Sequence, residues 1–339
     1  MTSIWKRLLL GTAGLTLMLG AAACTDDDDN GDGDTTPSAQ PTAAATTPAE
    51  ASPTSAAAFE ETSYPLTVTD MLGNSVIIDA EPQAIAAISP TTVEFVYAVG
   101  ETSLTRTTSV DFPPEATSAE DIGSAYTPNV ELIAGTQPDL IVADSVLQPQ
   151  LASALAPLGV PVLYIGAENY DDVITGFRLI GQVLNSPEGE TKAAELETLL
   201  ADIESQVPAE KAKVVIVNGT PSDFFVALPE SYVGNLAELA GADNLAAGQP
   251  SNAPFPGYAK LSIETIVAEQ PEVVLAITAA PGQTLSEGLS SDAAWASVPA
   301  VVNGRVHEID TQIFLQAPGP RAAEGLQTLA ELLYPDIFG

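Results

Sequence analysis

The residues able to do chemistry are few and unevenly spread. The 339-residue chain holds one cysteine, Cys24, and one histidine, His307. A lone histidine cannot assemble the His-rich ligand set of a transition-metal site. A lone cysteine has no partner for an internal disulfide. Carboxylates are abundant, with 45 Asp and Glu against 10 Lys and Arg and a formal net charge of −35. That charge repels phosphate backbones and argues against nucleic acid as a partner. It suits a solvated surface, and a salty or acidic habitat is one cause. Nucleophile-elbow, Walker and dinucleotide fingerprints are missing. Glu94 beside Thr91 reads as a helix capping box rather than an acid–base pair. No catalytic residue, metal site or cofactor is expected.

Two carboxylates stand out by position. Glu131 lies in Asn129-Val-Glu-Leu-Ile-Ala-Gly-Thr-Gln-Pro-Asp-Leu-Ile-Val-Ala143, and Glu264 in Ser262-Ile-Glu-Thr-Ile-Val-Ala-Glu-Gln-Pro-Glu-Val-Val-Leu-Ala276. The copies are offset by 264 − 131 = 133 residues. Asn129 and Ser262 are N-caps, and each Glu falls in a first helical turn, where the helix dipole favours an anion. Gln-Pro stops each helix. The apolar run that follows has the character of a strand buried on both faces of a parallel sheet. The chain therefore holds two similar α/β halves.

Other segments must position these residues. Lys6 and Arg7, the apolar run Leu8 to Gly20 and Ala21-Ala-Ala-Cys24 read as an export signal, too short for a comfortable transmembrane helix. Residues 25–62, rich in Asp, Ala, Thr and Pro, form a tether that cannot bury a core. Leu66–Asp70 and Val76–Asp79 predict a hairpin around Gly73-Asn74. Strands are expected at 84–88, 104–110 and 160–165. A helix from Ser89-Pro90 to Val99 and another over 147–158 lie between them. Helical spacing covers 171–184. A long helix over 188–206 falls between the duplicated stretches, where it can connect two lobes. Strands at 213–217 and 224–228, a helix over 232–241 that continues into Ala242-Asp243-Asn244, and a last helix to Leu333 complete the second half.

Together these residues resemble the ABC-transporter substrate-binding proteins for iron–siderophores, haem and cobalamin. The shared motifs include Ile88-Ser89-Pro90 with Glu94, Asp111-Phe-Pro-Pro114, the two duplicated stretches, Trp295-x-x-Val-Pro-Ala-Val301 and Asn303-Gly-Arg-Val306. Ala21-Ala-Ala-Cys24 resembles a lipoprotein box, although Ala21 stands where Leu is usual. The resemblance implies an α/β fold of two doubly wound, Rossmann-like lobes joined by a single long α-helix. The corresponding division is signal peptide 1–24, tether 25–62, N-terminal lobe 63–187, connector helix 188–207 and C-terminal lobe 208–339. It also implies a monomeric, exported solute-binding protein, anchored through Cys24 to the outer face of the cytoplasmic membrane. Its partner would be an ABC permease dimer with a cytoplasmic ATPase, met through Glu131 and Glu264. A non-transport surface sensor is the alternative use of the fold.

In this family the ligand lies between the lobes, in keeping with ligand placement at the carboxyl ends of parallel strands. The segments there supply Thr91, Thr92, Arg106, Phe112, Tyr126, Asp144, Phe225, Phe255, Tyr258 and Phe314, along with residues 279–281. Tyr258 stands where cobalamin-type members place an aromatic. Near the cleft only Arg106 and Arg321 are available for an anion, which disfavours catecholate complexes. A ferric hydroxamate siderophore is favoured, with cobalamin next. Haem is less favoured, because His307 falls at a structural strand position.

Overall fold

The computed structural model describes residues 61–278 and 284–339. The signal segment, Cys24, the tether up to residue 60 and residues 279–281 lie outside the described residues. Two extended segments open the body, β1 (Leu66–Thr69) and β2 (Ser75–Ile78). They pair antiparallel with Leu66 opposite Ile78. Gly73 has φ +82, which the turn needs and a Cβ would strain. The Met71 N–H donates to the Tyr164 carbonyl and ties this hairpin to the sheet behind it.

The first lobe is built on β3 (Ile85–Ala87), α1 (Pro90–Ala98), β4 (Thr105–Arg106), β5 (Glu120–Asp121), α2 (Val130–Gly135), β6 (Leu140–Asp144), α3 (Ala152–Leu155) and β7 (Val162–Ile165). Strands β3, β6 and β7 are parallel in that order, and β6 is buried throughout. Two expectations shrink here. The 104–110 strand reduces to Thr105–Arg106, because Thr108 and Val110 turn away: the Thr108 hydroxyl bonds Asp121, and the Val110 N–H bonds the Thr107 carbonyl. Such side-chain and turn bonds compete with ladder pairing. The 147–158 helix breaks into short turns around α3, since Pro149 and Pro157 cannot donate to it.

Helices α4 (Tyr170–Val183) and α5 (Glu188–Gln206) follow β7 in the chain and lead into the second lobe. The expected connector is α5, and α4 crosses it closely. A Cβ on Gly189 would stand 2.5 Å from the Phe177 carbonyl oxygen and 2.6 Å from the Gly181 Cα. Arg178 spans the same pair of helices, bonding both Glu190 and Glu197.

The second lobe comprises β8 (Ala212–Thr220), β9 (Asp223–Ala227), α6 (Tyr232–Leu239), β10 (Ala242–Asn244), β11 (Tyr258–Ala259), α7 (Ile263–Glu269), β12 (Val273–Thr278), α8 (Leu285–Ser291), α9 (Pro299–Val302), β13 (Val306–Glu308), α10 (Ala322–Leu333) and α11 (Pro335–Phe338). Its sheet runs β11-β9-β8-β12-β13, with β10 on β8. Strands β8, β10, β12 and β13 are parallel, while β9 is antiparallel to its neighbours. Residues 242–244 are a strand, not the tail of a helix, because Gly241 at φ +95 ends α6.

The duplicated stretch appears as α2–β6 and as α7–β12. Its two Gln-Pro junctions share an unforeseen feature: Gln137 (φ 54) and Gln270 (φ 52) are left-handed. A non-glycine residue there costs on the order of 1 kcal/mol, so the stop lies in the glutamine conformation as well as in the proline.

One apolar core runs through both lobes. Val93, Phe95, Phe177, Leu196, Ile216, Leu236 and Leu329 belong to the same buried cluster. The lobes are thus held by the packing of α1, α4, α5, α6 and α10, and not by the connector alone. Gly189→Ala should destabilise the protein by about 1–3 kcal/mol, because the α4–α5 crossing must open, despite alanine's better helix propensity. Urea denaturation at neutral pH measures this, and an unchanged midpoint would contradict the tight crossing.

Candidate ligand cleft

The carboxyl ends of β3 and β6 bring together Ser89, Thr91, Thr92, Asp144 and Gln148. Ser89 caps α1 in a reciprocal box with Thr92: the Thr92 N–H donates to Ser89 Oγ, and the Ser89 N–H donates to Thr92 Oγ1, both at 3.1 Å. The box is therefore Ser89–Thr92, and Thr91 with Glu94 plays no part in it. Asp144 Oδ1 accepts from the Val146 and Leu147 N–H groups, and the Ser89 hydroxyl reaches Oδ2. Burial pushes the Asp144 carboxyl above the usual carboxylate range against these bonds. Gln148 is fully buried. Its amide donates to the Ile88 and Ala125 carbonyls and accepts from the Asp144 N–H. These side chains fix the rim of the sheet, with Thr91 and Thr92 both turned inwards.

Aromatic side chains divide into two sets. Phe112 and Tyr126 are accessible, 42% and 66% exposed. Tyr126 borders an open cavity of ≈ 320 Å³ with Thr108, Ser109 and Ser124. On the second lobe Phe225, Phe255 and Tyr258 form a chain of edge-to-face contacts at 5.3 and 5.7 Å. Phe255 is accessible and Phe225 half-buried, whereas Tyr258 is buried and its hydroxyl is pushed up to about 12. Phe314 is fully buried in the shared core. Antiparallel β9 places its first residue, Asp223, at the carboxyl end of β8, where Lys260 pairs with it and lies over the Phe225 ring. Asn218, near the same strand end and opposite Phe225, is buried with its Oδ1 unpaired.

The cations nearest the candidate cleft are committed. Arg106 pairs with Asp121 at 3.1 Å and donates to the Thr107 and Thr117 carbonyls. Arg321, just before α10, donates to both oxygens of Glu94 on α1, through Nη2 at 2.7 Å and Nε at 3.0 Å. Glu94 is 2% exposed and Arg321 14%. The pair crosses from one lobe to the other, as does the bond from the Tyr170 N–H to Asn235 Oδ1. Gly319 packs on Thr91 and Phe95 beside it. The two residues lie 227 positions apart, so no local pattern joins them. The available signal was Glu94 itself, a carboxylate set among Val93, Phe95 and Val96 on a buried helix.

Glu131 and Glu264 are exposed in the first turns of α2 and α7. The Glu264 backbone N–H and the Ser262 hydroxyl hold the Glu264 carboxyl below the usual range, so it is an anion at neutral pH. His307 lies in β13 beside Leu275, and burial lowers its imidazole pKa. Among the described residues no cluster of metal-ligating side chains occurs, and no helix is long and apolar enough to cross a membrane.

The fold is that of a two-lobed solute-binding protein. The chain belongs to the periplasmic binding protein family, whose model matches residues 85–313. It is 26% identical over 289 residues to the uncharacterized ABC transporter substrate-binding lipoprotein YvrC of Bacillus subtilis, covering 81% of this chain and 87% of that protein. It is 26% identical over 282 residues to a cobalamin-binding protein of Halobacterium salinarum, covering 80% and 75%. It is also 26% identical over 206 residues to the Fe(3+)-citrate-binding protein YfmC of Bacillus subtilis, covering 60% of this chain and 63% of that protein.

Burial pushes Glu94 from an ordinary 4.5 to about 7, against its bonds to Arg321, and Asp111 and Glu324 add to the rise. The folded protein then holds a proton that the unfolded chain has released between these values. Stability therefore falls as pH rises from about 4.5 to about 7. Glu94→Gln should remove that slope, because glutamine mimics the protonated carboxyl and releases no proton as pH rises. Melting temperatures across this range for both proteins provide the check, and parallel curves would refute the assignment.

Proposed function

We propose that the protein is the exported, lipid-anchored solute receptor of an ABC importer, and that its cleft takes a bulky metal chelate of near-zero charge. One observation carries the ligand class: Phe112, Tyr126 and Phe255 are accessible, yet Arg106, Lys260 and Arg321 are each already paired with a carboxylate. A polyanionic catecholate or citrate complex would have to break one of these pairs or remain without a counter-ion, and burying an unpaired charge costs several kcal/mol. A large, flat, amide-rimmed chelate can instead use Phe112, Tyr126 and Phe255 for contact, with Thr108, Ser109, Ser124 and Asn218 to bond its periphery. A corrinoid has this character, and a relative covering most of the chain is a cobalamin-binding protein. A ferric hydroxamate siderophore is the second reading, favoured by the net charge of −35, which attracts its cationic forms. Export and anchoring rest on the N-terminal signal with Cys24 and on the lipoprotein relative. Transport would require the permease and its ATPase, and solute binding alone needs no catalytic group.

Isothermal titration of the purified body with cyanocobalamin, ferrioxamine B, a ferric catecholate, ferric citrate and haemin tests the class. Binding of cyanocobalamin at about 1 μM or tighter is expected. Binding confined to the catecholate or to citrate would sink the near-neutral assignment.

Glu131 and Glu264 are proposed as one permease contact per lobe. Each is exposed at a corresponding position of the duplicated stretch. The Glu131→Ala, Glu264→Ala double variant should keep its ligand affinity and lose at least about tenfold in uptake, as fits the loss of rim charges that guide docking. Uptake at the wild-type rate in cells bearing the permease would reject this role.

A further inference from the structure

Phe112 is an aromatic side chain in a loop of the first lobe, between β4 and β5, with 42% of its surface exposed. Such a ring ordinarily samples several rotamers. Here Arg321 of the second lobe lies over it, its Cζ 4.8 Å from the ring centroid. The guanidinium is itself fixed: it bonds both carboxylate oxygens of Glu94, which is buried on α1. The planar fork of arginine suits both tasks at once, meeting a carboxylate along its edge and an aromatic ring across its face. Carboxylate, guanidinium and ring thus form a three-part stack that begins in the first lobe, enters the second and returns to the first. Beside the stack an open cavity of ≈ 370 Å³ is lined by Phe112, Arg321 and Glu94 together with Tyr97, Phe177 and Leu196. Part of the ring faces this cavity, and the guanidinium lies across the ring.

We infer that Arg321, clamped by Glu94, holds Phe112 in place as a ligand-contacting wall of the cleft, so that both charged residues are positioning residues for binding. A pair serving only to join the lobes would need no aromatic ring on the guanidinium. In the stack the ring's place is tied to the seated position of the second lobe, and the wall is formed before ligand arrives. This inference rests on the cleft reading given above, which assigns Phe112 to ligand contact.

The test uses Arg321→Lys, Phe112→Leu, their double variant and Phe112→Trp. Lysine keeps a charge for Glu94 but has no plane to place on a ring. Without ligand, amide hydrogen exchange of residues 107–118 should quicken about fivefold or more in Arg321→Lys, with α10 exchanging as in the wild type. Exchange of that segment at the wild-type rate would overturn the inference. With cyanocobalamin and ferrioxamine B as probes, Arg321→Lys and Phe112→Leu should each weaken binding about tenfold, and the double variant no more than either alone. Phe112→Trp, which keeps a ring for the guanidinium, should bind within about threefold of the wild type. Additive losses in the double variant would show that Arg321 does not act through Phe112. Should neither probe bind the wild type, the ligand reading fails, while the exchange result still decides whether Arg321 positions Phe112. Phe112→Leu lies in a loop and leaves the Glu94–Arg321 pair intact, so it keeps the binding arm decisive if Arg321→Lys fails to fold.

Discussion

The structure depends most on a single buried charge pair at the seam between its lobes. Glu94 loses nearly all its hydration on α1, and among the described residues Arg321 supplies the counter-charge bonded to it. Removing two charges from water costs several kcal/mol each unless geometry and hydrogen bonds offset it. Here two nitrogens reach two oxygens, yet burial still pushes the Glu94 carboxyl up to about 7. The pair is thus poor evidence for added stability and better evidence for specificity of arrangement. Only one seating of α10 against α1 satisfies Glu94, and that seating also sets Gly319 on Thr91 and Phe95, and the guanidinium on Phe112.

The second constraint is apolar. Receptors with two lobes are easily pictured as rigid bodies on a hinge, with the connector helix as the pin. Here the buried cluster containing Phe95 and Phe177 is continuous with the one containing Leu236 and Leu329. The α4–α5 crossing at Gly181 and Gly189 leaves no room for sliding. Large lobe rotations would expose this core, so ligand capture has to work mainly through side chains and loops at the seam. A site whose walls are set beforehand spends less binding energy on ordering, which agrees with an aromatic already held by a charge pair.

Much of the fold was legible because its signals are local. Asn129 and Ser262 cap helices, Gln-Pro ends them, and the apolar runs Leu140–Asp144 and Val273–Thr278 are buried strands. The connector could be read from the stripe of Ala193, Leu196 and Ile203 between the two copies. Signals failed where polar side chains redirect the backbone, as Thr108 and Asp121 do after Arg106, or where prolines divide a helix, as Pro149 and Pro157 do. The site was less legible, because its partners are distant in sequence. Phe112 and Tyr126 could be named from strand ends, and both are accessible. Phe314 and Tyr258 could be named by the same rule, yet both are buried. A rule based on strand ends gives position along the sheet but not which way a side chain faces. Glu94 and Arg321 could not be joined by any local pattern.

These observations bear on what a cleft of this kind can select. A receptor for a polyanion keeps cations unpaired and accepts the cost of their repulsion until ligand arrives. This chain, with only 10 Lys and Arg against 45 acids, has little scope for that. Lys260 with Asp223 and Arg106 with Asp121 illustrate the outcome. The acidic composition and the aromatic cleft are therefore two sides of one constraint. Where the cations at the cleft are consumed by the protein's own carboxylates, affinity has to come from desolvating flat apolar surface, with a few hydroxyls and amides setting orientation. Phe112 on Arg321 is the case in which a consumed cation still serves the ligand, by holding the ring that meets it.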